Sequence, residues 1–409
     1  MSSPSARPHS ALRNPQFRLL WGGSLCAFIA FFTSNIVQQV VAFELTGQNR
    51  AVGLVVLGRG LAQITLGPIG GALADRISKR TILVVCQSFT TLVFLGLAYL
   101  MWSGRMEVMH LVVGGFLVGV TFAFLGPTRQ AYVVDIVSAE RRGNAVALNQ
   151  VALNVSRVVG PAAAGALLAW PLTGATGAFL FMAALYLVAL ALQSGLPPTG
   201  QPDPEARGLL SDLLEGLGYV RDNPRLRTLV AMFVLVVMLG FPYVTVLPGL
   251  CENQLGVDAK AVSMLFSAGA GGGLLASLLM TRVADSRWAL TVYRAGGLTF
   301  GASLWLLYLS TNTLTATLAM LVVGFTSGCF TTLHGAVILR STDPRYMGRV
   351  MSLGMLAFGA FGLISVPVGM AADRFGEGAV LAVMGSVVCL VVVVLGAVLA
   401  RTPEPPAQV

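Results

Sequence analysis

Residues 145–168 read AVALNQVALNVSRVVGPAAAGALL, an apolar run with one arginine, Arg157, near its middle. A bilayer core about 30 Å thick needs about 20 apolar residues per helix, so a run of this length predicts a membrane-spanning helix. A guanidinium at that depth is costly and is expected only where it faces a polar cavity or a partner inside a helix bundle. The stretch therefore predicts a polyhelical membrane protein with a polar interior, and the usual reason for such an interior is transport across the bilayer.

The composition of the whole chain agrees with this prediction. Apolar residues make up 56% of the 409 residues and charged residues only 11%, whereas a soluble domain has roughly a quarter charged residues. The net charge of +9 lies between apolar runs rather than on one face, so we interpret it as a topology signal and expect no nucleic-acid partner. The five cysteines are scattered without a CxxC pair, so neither a metal site nor a disulfide framework is expected.

Twelve apolar runs are long enough to cross the bilayer. They lie near residues 19–43, 51–74, 81–102, 109–131, 145–168, 177–196, 228–250, 260–281, 288–310, 314–339, 350–371 and 378–400. Basic residues concentrate in one alternate set of connections, and the other set holds only Arg50, Arg105, Lys260 and Arg374. The positive-inside rule then predicts that both termini are cytoplasmic.

The longest connection divides the chain into two parts. It opens with residues 197–204, PPTGQPDP, which is a linker composition. Leucines then repeat at helical spacing and predict an amphipathic helix on the inner membrane surface. We expect an N-terminal six-helix bundle over residues 1–196, a cytoplasmic linker with this helix over 197–227, and a C-terminal six-helix bundle over 228–409. The two halves repeat weakly, which is common in secondary transporters.

The connection after the second run, residues 67–80, reads GPIGGALADRISKR. The four-residue spacing of Gly67 and Gly71 favours close approach of two helices. Asp75 follows at the inner helix end, and its carboxylate is placed to latch helix ends through charge-assisted hydrogen bonds with the basic turn that contains Arg80. On charge alone, a simple positive-inside anchor explains this turn equally well.

The full pattern resembles the loop motif of the major facilitator superfamily, with Gly71, Asp75, Arg76, Lys79 and Arg80 in the characteristic positions. Further segments resemble the branch called drug:proton antiporter family 3, which includes macrolide efflux pumps and enterobactin exporters. These segments are residues 14–18 (NPQFR), 43–47 (FELTG), 127–131 (PTRQA) with Asp135, 147–149 (ALN), Arg157 with Gly160-Pro161, and 348–353 (GRVMSL).

The resemblance implies an all-α polytopic membrane protein with the major facilitator fold, in which twelve transmembrane helices form two pseudo-symmetric six-helix halves. It implies a location in the bacterial inner membrane. It also implies that Asp135 partners the Asp75 loop at the inner gate. The residues to which it gives gating roles are Gly71, Asp75, Arg76, Arg80, Arg129, Asp135, Gly160, Pro161, Gly348 and Arg349.

Polar side chains recur at helical spacing in several runs. Gln150, Asn154 and Arg157 follow one another at steps of four and three, which places them on one helical face. We expect a substrate cavity lined by Asn35, Gln38, Gln39, Arg59, Gln63, Gln150, Asn154, Arg157, Tyr243, Thr331 and His334. For lone hydroxyl groups, hydrogen bonding between helices is the simpler interpretation, and for His334 packing and function fit equally well.

The predicted spans contain no carboxylate at their middle, although proton-coupled transport generally uses an embedded carboxylate or histidine. The coupling candidates are Asp135, His334 and Glu44, and a uniporter also fits. We expect no metal and no cofactor, with a proton gradient as the suspected driving force. No nucleophile–base–acid set or phosphate loop occurs, so an enzyme is not expected.

The first functional hypothesis is export of a small amphipathic or anionic compound, such as a drug, siderophore or metabolite. The protein would act as a monomer in the lipid bilayer, by alternating access of two halves to a central site. Two arginines in apolar runs favour a substrate with anionic or polar oxygen groups. The alternatives are an uptake symporter or uniporter for a small metabolite and, more remotely, a transport-dead sensor or scaffold.

Overall fold

The computed structural model describes residues 10–74, 77–199, 209–343 and 345–402, and every regular element in these ranges is a helix. The α-helices are α1 (Pro15–Thr46), α2 (Asn49–Ala74), α3 (Lys79–Trp102), α4 (Val108–Ile136), α5 (Ala139–Leu168), α6 (Gly174–Ser194), α7 (Leu209–Asp222), α8 (Pro224–Gly240), α9 (Leu247–Gly249), α10 (Val262–Ala284), α11 (Ala289–Tyr308), α12 (Thr313–Ser341), α13 (Met347–Phe375) and α14 (Glu377–Ala400). Eleven predicted spans each coincide with one long helix, and the seventh coincides with α8 and the irregular segment that follows it, so the all-α polytopic fold is confirmed.

Ten helices of the described ranges are long and apolar enough to cross a membrane. The two long helices outside this set are α2 and α11. Both still have the length of a span, since they contain 26 and 20 residues and a helix rises about 1.5 Å per residue. Following the predicted orientation, we call the Pro15 end of α1 inner and the Thr46 end outer.

The helices cluster into two compact units. The first contains the described residues among 1–37, 65–106 and 117–207, and the second contains those among 38–64, 107–116 and 208–409. The second unit therefore combines the outer ends of α1 and α2 and the start of α4 with all helices from α7 onward. The division of the sequence into two six-helix bundles stays a prediction.

In the first unit, the inner ends of α1, α3 and α4 share an apolar core with the start of α5. Phe17, Leu83 and Tyr132 are fully buried in it. Asn14, just before α1, accepts a hydrogen bond from the first turn of that helix (2.9 Å), and its amide donates to the carbonyl of Ile136 (2.7 Å). The first bond gives a partner to a free backbone N–H group at the start of α1. The second connects this end of α1 to the end of α4.

In the second unit, the predicted amphipathic helix is α7. Within its described side chains, Val220 is buried whereas Leu217 is 54% exposed. The ring of Tyr219 stacks on Tyr346, with centroids 4.3 Å apart, and Glu215 pairs with Arg349 at 2.7 Å. The amphipathic helix is therefore docked on the start of α13.

The seventh span is irregular at its outer end. The helix α8 ends at Gly240, and the chain continues through a 3-10 turn (Phe241–Thr245), the short α9 and a π turn (Leu250–Gln254). Pro242 and Pro248 fall in this segment. Proline interrupts a regular α-helix because it lacks the backbone N–H and its ring crowds the preceding turn.

Candidate translocation site

A polar face of α5 is exposed in the first unit. Gln150 donates a side-chain hydrogen bond to the Asn154 carbonyl oxygen (3.2 Å), and Arg157 follows on the same face. The side chains of Gln150 and Arg157 are exposed and that of Asn154 is half-buried. The guanidinium carbon of Arg157 lies 5.9 Å from the centroid of the Phe32 ring. Three of the predicted cavity residues are thus adjacent on one face of α5, and two of them are exposed.

The same helix has a second exposed face that is entirely apolar. It carries Val151, Val155 and Val159, with exposed fractions of 51%, 42% and 41%. At about 100° per residue, these valines lie well over a quarter-turn from Arg157. A helix with separate apolar and polar exposed faces in a membrane protein contacts two environments, lipid on one face and a water-accessible space on the other.

Gly160 and Pro161 lie on the packed side of α5. A β-carbon at Gly160 would lie 2.5 Å from Cβ of Phe32, and Thr33 donates from its hydroxyl to the Gly160 carbonyl (3.1 Å). The absence of a side chain therefore lets α5 approach α1 closely. Pro161 is buried beside it.

In the second unit, Arg59 and Gln38 are in direct contact. Arg59 Nη2 donates to Gln38 Oε1 at 3.2 Å, and both Gln38 and its neighbour Gln39 are buried. Within the described ranges, Gln38 Nε2 and Gln39 Oε1 have no hydrogen-bond partner. A buried polar group without a partner costs roughly 1–3 kcal/mol, so these two amides are good candidates for binding water or a solute.

The remaining predicted cavity residues have less distinctive surroundings. Asn35 and Gln63 are half-buried. Tyr243 is buried with its ring 6.3 Å from that of Phe300. The Thr331 hydroxyl donates to the Ser327 carbonyl of its own helix (2.9 Å), so its donor is already used within α12.

His334 lies in an aromatic cluster. Its ring stacks on Phe233, with centroids 3.7 Å apart and planes 12° from parallel, and Tyr293 Oη lies 3.4 Å from His334 Nδ1. Only 7% of the residue is exposed. An imidazolium in this cluster would lose its hydration without gaining a charged partner from these contacts. These surroundings favour the packing interpretation of His334.

At the inner end of the first unit, Asp135 contacts the first residue of α3. Lys79 Nζ lies 2.6 Å from Asp135 Oδ2. Arg80 donates to the Ser194 carbonyl (2.6 Å), and the Tyr132 hydroxyl donates to the carbonyl of Pro197. This network joins α3, α4 and the end of α6. Asp75 and Arg76 lie outside the described residues, and of Gly71 only its helical backbone is described.

The sequence predicts a close helix approach at Gly67, but among the described residues a β-carbon there would meet nothing within 4 Å. The same holds for a β-carbon at Gly348. Arg129, to which the resemblance gives a gating role, lies with its guanidinium carbon 4.6 Å from the Phe28 ring centroid, and the cation that contacts Asp135 is Lys79. The spacing pattern could not reveal this, because it does not determine which helix faces the arginine.

One further gate residue, Arg349, and one coupling candidate, Glu44, have described partners. Arg349 pairs with Glu215 and also lies over the ring of Tyr346, at 5.5 Å. In the adjacent connection, hydrogen bonds from Arg345 lower the pKa of Asp343 to about 2. Glu44 at the outer end of α1 lies 3.6 Å from Lys260.

One polar cluster at the outer end of the second unit was missed by the sequence analysis. Asp373 and Glu377 receive hydrogen bonds from Asn49, Arg50 and Asn253. Both carboxylates fall in the short connection between the predicted spans 350–371 and 378–400. Glu377 is nevertheless only 5% exposed. The described residues contain no group of three His, Cys, Asp or Glu side chains that could hold a metal ion.

The fold and the polar face of α5 define a polytopic membrane transporter. The chain belongs to the Major Facilitator Superfamily, whose family model matches residues 20–366. It is 26% identical over 368 residues to the staphyloferrin A transporter of Staphylococcus aureus, with 88% of this chain and 92% of that protein covered. It is 24% identical over 414 residues to the enterobactin exporter of Shigella flexneri, with coverages of 97% and 95%.

A more distant relative is multidrug resistance protein 1 of Bacillus subtilis, which is 23% identical over 257 residues and covers 62% of this chain. Among solved structures, an inward-facing bacterial homologue of the human lysosomal transporter Spinster superposes with a TM-score of 0.76. It is 15% identical and the match covers 96% of this chain and 99% of that one. A nucleoside transporter gives a TM-score of 0.74 at 12% identity, covering 94% and 99%. These two likenesses support the fold alone.

Proposed function

We propose that this transporter exports a small anionic or amphipathic compound rich in oxygen groups, of the siderophore type, by alternating access. The observation that carries the proposal is the polar face of α5, on which the Arg157 side chain is exposed. The named activities of the staphyloferrin A transporter and the enterobactin exporter support the same substrate class.

The chemistry of Arg157 favours an anionic ligand. A guanidinium presents a planar set of donors that matches carboxylate geometry, and its charge does not depend on pH in the physiological range. Gln150 and Asn154 add amide donors and acceptors within two helical turns. Together they suit a ligand that carries carboxylate, hydroxyl or carbonyl groups.

Asp135 is the coupling group that we favour. Its side chain is 26% exposed and is paired with Lys79. Protonation would remove the negative charge and weaken this ion pair, which would loosen the start of α3 from the end of α4. We further propose that the protein acts as a monomer in the bacterial inner membrane and that both termini are cytoplasmic. We propose that the substrate is moved without chemical conversion.

Transport direction and substrate class can be tested together in everted membrane vesicles. We expect staphyloferrin A or enterobactin to accumulate in vesicles that contain the protein when the interior is acidic, and to accumulate much less without the pH gradient. Tetraphenylphosphonium, a lipophilic cation, is the matched probe and should show no gradient-dependent accumulation.

The alternatives give different results in the same assay. Accumulation only in right-side-out vesicles would indicate uptake, and equilibration that ignores the gradient would indicate a uniporter. Accumulation of the cation but not of either siderophore would contradict the proposed substrate class. A purified, folded protein that transports no probe in either orientation would favour the sensor or scaffold alternative.

A further inference from the structure

The outer end of α2 is capped by a carboxylate from a distant part of the chain. Asp373, near the end of α13, accepts a hydrogen bond from the backbone N–H of Asn49 at Oδ1 (2.6 Å) and from that of Arg50 at Oδ2 (3.1 Å). Asn49 and Arg50 are the first two residues of α2. The first N–H groups of a helix have no partner within the helix, and that end carries partial positive charge. Asp373 accepts hydrogen bonds from two of these N–H groups and places a negative charge at the positive end of the helix.

A buried glutamate reinforces this contact. Glu377 Oε1 accepts hydrogen bonds from Asn49 Nδ2 (2.8 Å) and Asn253 Nδ2 (2.7 Å). Asn49 is 1% exposed and Glu377 is 5% exposed. Glu377 begins α14, so the cluster joins α2, the irregular segment after α8, and α14 at one point.

Beyond the cap, α2 and α13 approach backbone to backbone. A β-carbon at Gly369 would lie 2.6 Å from the Asn49 carbonyl oxygen, and one at Gly53 would lie 2.5 Å from that of Ser365. Deeper in the membrane, a β-carbon at Gly60 would overlap the backbone of α13 in the same way. Small residues give close contact without interlocking side chains. At these three glycines the helices therefore meet backbone to backbone and not through interlocking side chains.

The arginines next to the cap are engaged elsewhere. Arg50 Nε donates to Gln48 Oε1 (2.5 Å), and the guanidinium carbon of Arg374 lies 5.4 Å from the Phe375 ring centroid. Asp373 is thus held by backbone N–H groups in the contacts that the structure gives it. This distinguishes the cap from a salt bridge, because substitution of Arg50 would leave both donors in place.

We propose that Asp373, supported by Glu377, is the latch that holds α2 against α13 in the outside-closed state and releases in each transport cycle. The inference rests on the proposed alternating-access function. Water can solvate both the carboxylate and the two N–H groups after the helices part, so the latch is reversible. Asp373 acts as a positioning residue: it sets when the outer side opens and does not bind substrate.

The sequence around Asp373 repeats the pattern of the predicted inner latch. Residues 369–374 read GMAADR and residues 71–76 read GALADR, so both have the form Gly-x-x-Ala-Asp-Arg. With the predicted orientation, the first pattern lies at an outer helix end and the second at an inner one. The latch role of Asp75 is a prediction from the sequence, and Asp373 extends that chemistry to the outer side.

Accessibility of the α2–α13 contact tests the proposal without any substrate. Ser365 is fully buried beside Gly53, so Ser365→Cys in a cysteine-free background should react with a membrane-impermeant thiol reagent only while the outer side is open. Asp373→Ala should increase the labelling rate about fivefold to tenfold, since it removes two charge-assisted bonds at a helix N-terminus. Asp373→Asn, which keeps one acceptor, should give a smaller increase, and Asp373→Glu should restore part of the slow labelling.

Two controls separate the latch from general loosening. Arg50→Ala should label like the parent because the backbone donors remain, and so should Glu252→Gln, a substitution of an exposed carboxylate in the adjacent segment. Parent-like labelling of both Asp373→Ala and Asp373→Asn in folded protein would overturn the proposal. If Arg50→Ala increased the labelling rate as much as Asp373→Ala, the latch could not be assigned to the backbone N–H groups of α2.

Transport kinetics give a second, independent measurement. A latch residue should change the maximal transport rate while KM measured from the inner side stays within about twofold. A large rise in KM with unchanged labelling would contradict a latch role. If no substrate is found, the labelling result still stands, so the failure of the proposed function is distinguishable from failure of the latch.

Discussion

Lys79 Nζ lies 2.6 Å from Asp135 Oδ2 and joins the start of α3 to the end of α4 in the first unit. The lysine belongs to the basic turn after α2, and the aspartate lies at the inner end of a helix that carries the buried Arg129. Both side chains keep some exposure to solvent, at 12% and 26%. The pair is therefore accessible to protons from the inner side.

Asp135→Asn should uncouple transport from the proton gradient. The substitution removes the charge that Lys79 neutralises and leaves a group that does not titrate. We expect gradient-driven flux in proteoliposomes to fall about tenfold or more, while substrate exchange without a gradient persists. Stability should change by less than about 1 kcal/mol, as is usual for partly exposed ion pairs. The control is Asp285→Asn, which changes a fully exposed carboxylate at the inner side. Unchanged coupling in Asp135→Asn would exclude Asp135 as the proton carrier.

Arg157→Ala should weaken transport of anionic substrates, because the guanidinium is the exposed cation on the polar face of α5. We expect KM to rise about tenfold or more, the loss typical of one charge-assisted hydrogen-bonded contact. Arg157→Lys should recover only part of the affinity, since an ammonium group cannot offer the same planar donors. Val155→Ala, on the apolar exposed face of the same helix, should leave KM unchanged. Full affinity in the alanine variant would show that Arg157 does not bind substrate.

Gly160→Ala should destabilise the first unit. The added methyl group would lie 2.5 Å from Cβ of Phe32, and overpacking of this kind costs about 1–3 kcal/mol. Thermal unfolding in detergent should show the lower midpoint. Gly143→Ala is the matched control in α5, because a β-carbon there meets nothing within 4 Å. Equal thermal unfolding midpoints for the two variants would contradict the expected overpacking between α1 and α5.

His334→Phe should keep the pH dependence of transport. The histidine stacks on Phe233 at 3.7 Å, and phenylalanine can occupy the same place with similar ring packing. We expect more than half of the wild-type flux at each pH, whereas His334→Ala should be destabilised by about 2–4 kcal/mol through the cavity it leaves. Loss of pH dependence in a well-folded His334→Phe variant would return His334 to the coupling candidates.

Both termini should be cytoplasmic. Single cysteines introduced at Ser5 and Gln408, in a background without the native cysteines, should resist an impermeant thiol reagent applied to intact cells and react after the cells are opened. The expectation follows from the excess of basic residues in one set of connections. Labelling of either position from outside would show that the predicted orientation is wrong and that Asp373 lies at the inner side.

The helices themselves were predictable from the sequence. The predicted span 81–102 corresponds to Lys79–Trp102, and the predicted span 378–400 corresponds to Glu377–Ala400. The physical reason is that the bilayer requires each segment to satisfy its own backbone hydrogen bonds and to be apolar along its length. Both requirements depend on residues that are neighbours in the chain, so a sequence contains the information directly. The polar face of α5 follows from the same local periodicity.

The partners of the helices were decided only by the tertiary structure. Asp373 and Asn49 are separated by 324 positions, and their hydrogen bond depends on the register between α2 and α13. Spacing within one helix predicted a close approach at Gly67, but the backbone contact falls at Gly53 and Gly60. Which glycine meets another helix, and which carboxylate reaches a free N–H group, is set by how helices distant in the chain pack together. That packing results from many long-range contacts, and no short sequence pattern determines it.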